Sequence, residues 1–426
     1  MKRLSLFVLC LLLVAALWPL AADAQQAMTL RFFYPVGVAG PLARVIGEMA
    51  EEYNRITPGV RVEAIYSGGY ADTIARALTA AKAKNPPELA VLTAGDVWTA
   101  SDADILEPLD GFIRAAGGKD FLGKFYPAFL RDGDINGRQF AIPFQKSTPI
   151  FYYNKAAFRE VGLDPERPPQ TWTELLDMAK KLTVVRGGEV VRWGLQIPID
   201  QWLFSAYVMQ NGGRVNSEDG TRTFLNSPEA VSALQFMVDM ALKDKVMPPR
   251  RFFGDASADF VAGKTAMMYN STGGLPFVRS GATFDWYVAF LPMGKQRVVP
   301  TGGGQFVIFK GIPPAQQQAA WNFISWMTNA ENAGKWSVRS GYVTVRPDGL
   351  QTPELKQLTA EFPQALMALK QLDYAHREPP YTHEGRRISK IITDAVESAL
   401  AGKATPKDAL EAAQRESDTV LAPFRK

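Results

Sequence analysis

Short apolar runs alternate with amphipathic stretches from the start of the chain, and this alternation constrains the fold more than any other feature. Residues 28–34, 60–65 and 89–92 are strand-like, each a brief run rich in apolar or β-branched side chains. Between them, Leu42, Val45, Ile46, Met49 and Tyr53 recur at i, i+3, i+4 spacing, which predicts a helix over 41–56 stopped by Pro58-Gly59. Gly37 to Gly40 is expected to turn, and Gly68-Gly69 leads into a second helix over 71–83. Strand and helix alternating at these intervals predict an α/β fold with a parallel, doubly wound sheet. At 426 residues the chain is too long for one ordinary core, so two domains are expected.

The second half repeats the alternation with longer helices. Thr171-Trp172-Thr173-Glu174 is a capping box, whose hydroxyl and carboxylate satisfy the free amides of a helix running to Leu182. Ser227-Pro228-Glu229 opens another, to about residue 244. A short helix and a strand are expected over 259–270, a strand over 305–309, and helices over 314–327, 331–337, 386–401 and 406–424. Trp321, Phe323, Trp326 and Trp336 fall on apolar helical faces and are assigned to the core.

Residues 1–24 read as a secretory signal: Lys2 and Arg3, an apolar run from Leu4 to Leu17, and Ala22-Asp23-Ala24 at the cleavage position. The one cysteine, Cys10, lies within that apolar run. The exported chain would then have neither disulfides nor thiol chemistry, and a bacterial periplasm is the expected location. A net charge of +4 over this length, with no basic block, argues against nucleic acid as a partner.

The stretch from Gly137 to Lys155 concentrates the functional signal. Asn136-Gly137 is a tight-turn dipeptide feeding a strand that breaks at Pro143. The polar patch Gln145-Lys146-Ser147-Thr148 follows, then the apolar strand Ile150 to Tyr153. A polar patch between two buried strands needs partners, either backbone or ligand. The run resembles a signature of the extracellular solute-binding proteins of ABC importers, with Ser-Thr-Pro at the cleft followed by Tyr-Tyr-Asn-Lys. The resemblance extends in order through Asn154 to Phe158, Pro168 to Trp172, Phe260 to Met267, Gly302-Gly303-Gly304, Ser340-Gly341-Tyr342 and Gly402 to Pro406. Within that family the pattern follows the glycerol-phosphate binders.

The resemblance implies a two-lobed, type II periplasmic-binding-protein fold with discontinuous domains and a hinged cleft. The lobes are assigned to 25–141 with 298–344, and 142–297 with 345–426. A ligand would lie between them and be enclosed by hinge closure. By resemblance Tyr70, Ser147, Ser271, Gly303, Tyr342 and one of Arg386 and Arg387 fall on the family's ligand contacts, with Thr148 beside them. Chemically, phenols and hydroxyls suit an oxygen-rich solute, free amides near Ser271 suit an anion, and a guanidinium fork supplies bidentate charge to phosphate. Trp202 is either a flat platform for a polyol or a core residue. Two departures stand out: Ala94 where the glycerol-phosphate binders carry an acid, and Lys146, which is expected to add a cation to the cleft.

Other motifs carry less. Gly118 to Lys124 has phosphate-loop spacing but lacks the following Ser/Thr, and a surface loop is the better reading. Asp132 to Gly137 begins like a calcium loop, yet Pro143 stands where a bidentate Glu is required. His376 and His383 lack metal-ligand spacing, and no nucleophile elbow exists. With the export signal and the missing catalytic set, the resemblance implies a monomeric, non-enzymatic binding component without cofactor or metal. It would take sn-glycerol 3-phosphate or a related polyol phosphate or carbohydrate and deliver it to ABC permease transmembrane subunits. The alternative is an exported glycoside or phosphodiester hydrolase.

Overall fold

Leu30, Phe32 and Tyr34 alternate inward along strand Met28–Tyr34, and they are buried. The computed structural model describes residues 27–38 and 41–425, so the signal read at 1–24 and part of the turn at 37–40 lie outside it. Met28–Tyr34 pairs in parallel with Val60–Tyr66 and with Leu89–Leu92. Helices Leu42–Ile56 and Tyr70–Lys82 carry the chain between these strands, and the first buries the five residues its spacing predicts.

Beyond these three strands the sheet departs from the parallel expectation. Gly302–Ile308 runs antiparallel to Leu89–Leu92 on one side and to Ile142–Ser147 on the other. These strands arrive from distant parts of the chain without a helical crossover between neighbours, so nothing forces them parallel. The result is a mixed five-stranded sheet. Phe306 and Phe144 stack face to face across it (centroids 4.3 Å apart), and Trp336 closes over Phe144.

A second sheet is wholly antiparallel, with Pro149–Asn154 between Met267–Ser271 and Trp286–Ala289. One face packs on Leu203, Phe204, Ile388, Ile392 and Leu410, and the other on Phe260, Leu275 and Val278. The architecture is two α/β lobes, each with its own sheet and core. Thr148 alone separates Ile142–Ser147 from Pro149–Asn154, so one residue carries the chain from sheet to sheet. The sequence assigns 142–147 to the second lobe; here that strand is hydrogen-bonded into the first sheet by Gly302 to Gly304.

The capping box at Thr171 forms with Glu174, and Ser227 caps Pro228–Val238. Trp321, Phe323 and Trp336 are buried, and Trp326 is partly so. Among the described residues no helix is long and apolar enough to cross a membrane.

Candidate ligand-binding site

A cavity of about 370 Å³, a size that suits a small ligand, draws its walls from both lobes. Tyr70, Gly303 and Tyr342 come from the first lobe, Trp202 and Ser271 from the second, with Ser147 at the crossing and Arg386 opening helix Gly385–Leu400. Seven of the nine candidate residues, spread over more than 300 positions of sequence, therefore meet at one place. Two do not. Thr148 is buried outside the cavity lining, where its Oγ1 accepts from Gln371 Nε2 at 3.0 Å. Arg387 is exposed, pointing away from the lining.

Glycines seat the aromatic walls. A Cβ at Gly37 would lie 2.8 Å from the Tyr70 ring, one at Gly273 3.0 Å from Tyr342, and one at Gly302 2.4 Å from the Trp202 indole. Any side chain there would push a ring into the cavity. Gly303 has φ +88°, and a Cβ would sit 1.8 Å from the Gln145 carbonyl oxygen, so this strand position requires glycine. Trp202 donates its indole N–H to the Thr301 carbonyl (2.7 Å), with Phe253 tilted beside it. The ring is thus both packed and presented to the cavity, which reconciles the platform and core readings.

Gln145 Nε2 donates to the hydroxyls of Tyr70 (2.9 Å) and Tyr342 (3.4 Å), fixing both phenols at the wall. Burial raises both phenols, Tyr342 to about 12, so they enter any interaction as neutral hydroxyls.

The groups suited to an anion are already engaged by the protein's own oxygens. Arg386 donates from Nε to Asp96 Oδ1 (2.7 Å) and from Nη2 to Asp96 Oδ2 (2.6 Å), and Asp96 is fully buried. Burial disfavours the guanidinium charge, but Asp96 outweighs it and holds Arg386 above its ordinary pKa. At the start of helix Tyr70–Lys82, Asp72 accepts the Gly69 N–H at 2.9 Å. At the turn after Ser271, its own Oγ accepts the Gly273 N–H at 3.2 Å.

Lys146 corrects an expectation. It does not line the cavity but lies fully buried behind it, its Nζ 2.5 Å from Asp132 Oδ2. Asp132 also accepts from Thr301 Oγ1 (2.9 Å) and from the Glu378 backbone N–H (3.0 Å). One carboxylate thereby ties together the Ile142–Ser147 strand, the entry to Gly302–Ile308 and the 376–380 segment. Lys146 contributes its charge to that junction and none to the wall.

Phe253, Asp200 and Glu378 are among the lining residues that escaped the sequence. Phe253 and Asp200 lie at helix starts, and Asp200 accepts the Trp202 N–H at 2.7 Å as an N-cap. Burial raises the Asp200 carboxyl to about 6, against the pull of that N–H and of Arg386. The Asp at a helix start was the only signal available. Glu378 sits in Arg377-Glu378-Pro379-Pro380, a run without periodicity, and is 6 % exposed. Its carboxyl lies against the Ala94 backbone N–H. An acid does face the cavity beside position 94, supplied from elsewhere in the chain. Among the described residues no group of His, Cys, Asp and Glu is disposed to hold a metal ion.

A profile of bacterial extracellular solute-binding proteins matches residues 48–364. The chain is 28% identical to the sn-glycerol-3-phosphate-binding periplasmic protein UgpB of Pectobacterium atrosepticum, over 95% of this chain and 94% of that protein. It is likewise 28% identical to UgpB of Escherichia coli O6:K15:H31, over 96% and 95%. Among solved structures, maltose-bound MalE3 of T. maritima superposes with a TM-score of 0.80 and 26% identity, covering 92% of this chain and all of that one. UgpB of Mycobacterium tuberculosis in complex with glycerophosphocholine has the same fold, with a TM-score of 0.81, 24% identity, and coverage of 93% and 99%.

Proposed function

Because the chain belongs to the bacterial extracellular solute-binding protein family, we propose that it is the binding component of an ABC importer for a sugar- or glycerophosphate-type solute. It acts in the periplasm as a monomer, encloses sn-glycerol 3-phosphate or a related polyol phosphate or carbohydrate, and passes it unaltered to the permease. The observation that carries this reading is the convergence of Tyr70, Ser147, Trp202, Ser271, Gly303, Tyr342 and Arg386 on one cavity. Aromatic faces take up the apolar face of a polyol ring or chain, and fixed hydroxyls exchange hydrogen bonds with its oxygens.

The engaged state of Arg386, Gly69 and Gly273 shifts weight toward the polyol part of the ligand. A phosphate monoester brings nearly two negative charges at neutral pH. Asp96 already neutralises Arg386, and Asp200 and Glu378 add carboxyl groups to the wall. A neutral carbohydrate or a singly charged phosphodiester meets less opposition. Carboxyls on the wall are also what a hydrolase would need, but of the three there Asp200 is committed as a helix cap and Asp394 to Lys390.

Titration calorimetry of ligand-stripped protein with sn-glycerol 3-phosphate, glycerophosphocholine, maltose and xylobiose tests the proposal. One binding event per chain and recovery of the ligand intact are expected. Silence across the whole panel, or steady product release from chromogenic glycosides or phosphodiesters, would overturn it.

A further inference from the structure

Three buried carboxyl groups surround the junction behind the cavity, and their hydrogen-bond inventories differ. Asp96 is satisfied by two bonds from Arg386 and one from Thr93 Oγ1 at 2.8 Å. Asp132 is satisfied by Lys146, Thr301 and the Glu378 N–H. Glu378 is not: one side of its carboxyl faces the Ala94 N–H, while Oε2 is buried without a partner. A carboxyl oxygen buried without a hydrogen-bond partner carries a desolvation cost that a suitable donor would relieve.

Among the described residues the cations around the cavity are committed elsewhere, Lys146 to Asp132, Arg386 to Asp96 and Lys390 to Asp394. Glu378 nevertheless belongs to the cavity wall, close to Gly95 and Arg386. Its backbone is anchored at the Asp132 junction, so the carboxyl is held on a rigid segment. The missing partner is therefore a group brought by the ligand. A phosphate or carboxylate would repel the acid; a hydroxyl both donates to it and tolerates its protonated form. Burial raises the Glu378 carboxyl, with Asp132 and Asp96 reinforcing the effect against Lys146, and either protonation state can pair with a hydroxyl.

We propose that Glu378 is a specificity-determining residue of the cleft, its carboxyl hydrogen-bonding one hydroxyl of a polyhydroxylated solute. This rests on the solute-binding function proposed above and adds the group that reads the solute. The consequence is chemical: sites built to bond a hydroxyl reject analogues lacking it far more strongly than apolar walls reject a methylene.

The test is a cycle of protein and ligand changes followed by calorimetry. Wild type, Glu378→Gln and Glu378→Ala are titrated with sn-glycerol 3-phosphate, glycerophosphocholine, maltose and xylobiose, and with single-deoxy analogues of whichever binds. Glu378→Ala is expected to weaken the best ligand at least tenfold. One deoxy analogue should lose a similar factor against wild type and almost nothing further against Glu378→Ala. Glu378→Gln keeps the shape and should lose only severalfold, which guards against loss of folding in the Ala variant. Unchanged affinity in both variants, or every deoxy analogue penalised equally by wild type and Glu378→Ala, overturns this inference and leaves the transport reading standing. A wild type silent to all four solutes removes the reading on which it rests, and this inference with it.

Discussion

Arg386 and Asp96 stand on helices that belong to different cores, and they meet through two parallel hydrogen bonds of 2.7 and 2.6 Å. Helix Ala94–Asp102 packs Val97, Trp98 and Ala100 into the first lobe, whereas Gly385–Leu400 buries Ile388, Ile392 and Val396 in the second. The helix starts touch directly, since a Cβ on Gly385 would lie 2.5 Å from the Gly95 carbonyl oxygen. Arg386 is thus an element of inter-lobe structure as well as of the cavity wall.

Arg386→Ala is therefore expected to do more than weaken ligand binding. It strands the fully buried Asp96, and breaking such a pair costs about 3–5 kcal/mol when both groups are buried. Arg386 is roughly a third exposed, which reduces the cost to about 2 kcal/mol. Arg387→Ala, on an exposed side chain, should stay within about 0.5 kcal/mol. Chemical denaturation of the two variants checks the difference; equal stabilities would contradict the assignment.

Lys146→Met is expected to destabilise the fold by about 3–5 kcal/mol, because Asp132 would be left charged and fully buried. Adding Asp132→Asn should recover most of the loss, since an amide oxygen still accepts from Thr301 and from the Glu378 N–H. Denaturant midpoints of the single and double variants measure this. A double variant no more stable than the single one would place the cost elsewhere.

Asp200 predicts a pH effect of definite sign. Its carboxyl is raised from the ordinary range near 4 to about 6 by burial, so the folded chain keeps a proton that the unfolded chain loses first. The group costs no stability below about pH 4, costs progressively more as pH rises to about 6, and is constant above. Asp200→Asn retains the helix cap and abolishes this titration. Melting temperatures should coincide at pH 4 and separate in favour of the Asn variant by pH 7. Parallel curves across that window would be inconsistent with the burial of Asp200.

Gly302→Ala should disturb the cavity without touching a polar group. The added methyl lies within 2.4 Å of the Trp202 ring and must tilt it or shift the strand. A blue-or-red shift in tryptophan emission together with a loss of at least tenfold in ligand affinity is expected. Unaltered emission and affinity would show that the indole is free to move.

The elements were legible wherever local rules act alone. Helix Leu42–Ile56 followed from its apolar spacing, and Trp172–Leu182 from Thr171 and Glu174. The first three strands were placed nearly to the residue, whereas the strand expected to break at Pro143 instead runs through it from Ile142 to Ser147 and takes in most of the polar patch. Strand direction beyond the first three was not legible, because Gly302–Ile308 finds its neighbours over more than 150 positions. Lys146 was misplaced despite an available signal. Alternate residues of a strand face opposite sides, so Ser147 at the cavity obliges Lys146 to point away. Glu378 had no such signal, since its position depends on the fold bringing 378 to the start of helix Ala94–Asp102.

If two separately packed lobes grip a small oxygen-rich solute at their seam, saturation must draw them together, and small-angle scattering reads that movement. Curves are to be recorded on one preparation before and after saturation with the ligand that calorimetry identifies. A smaller radius of gyration in the saturated protein, reversed by dialysis, is the expected result. Superimposable curves under confirmed saturation would contradict closure of the lobes around the solute.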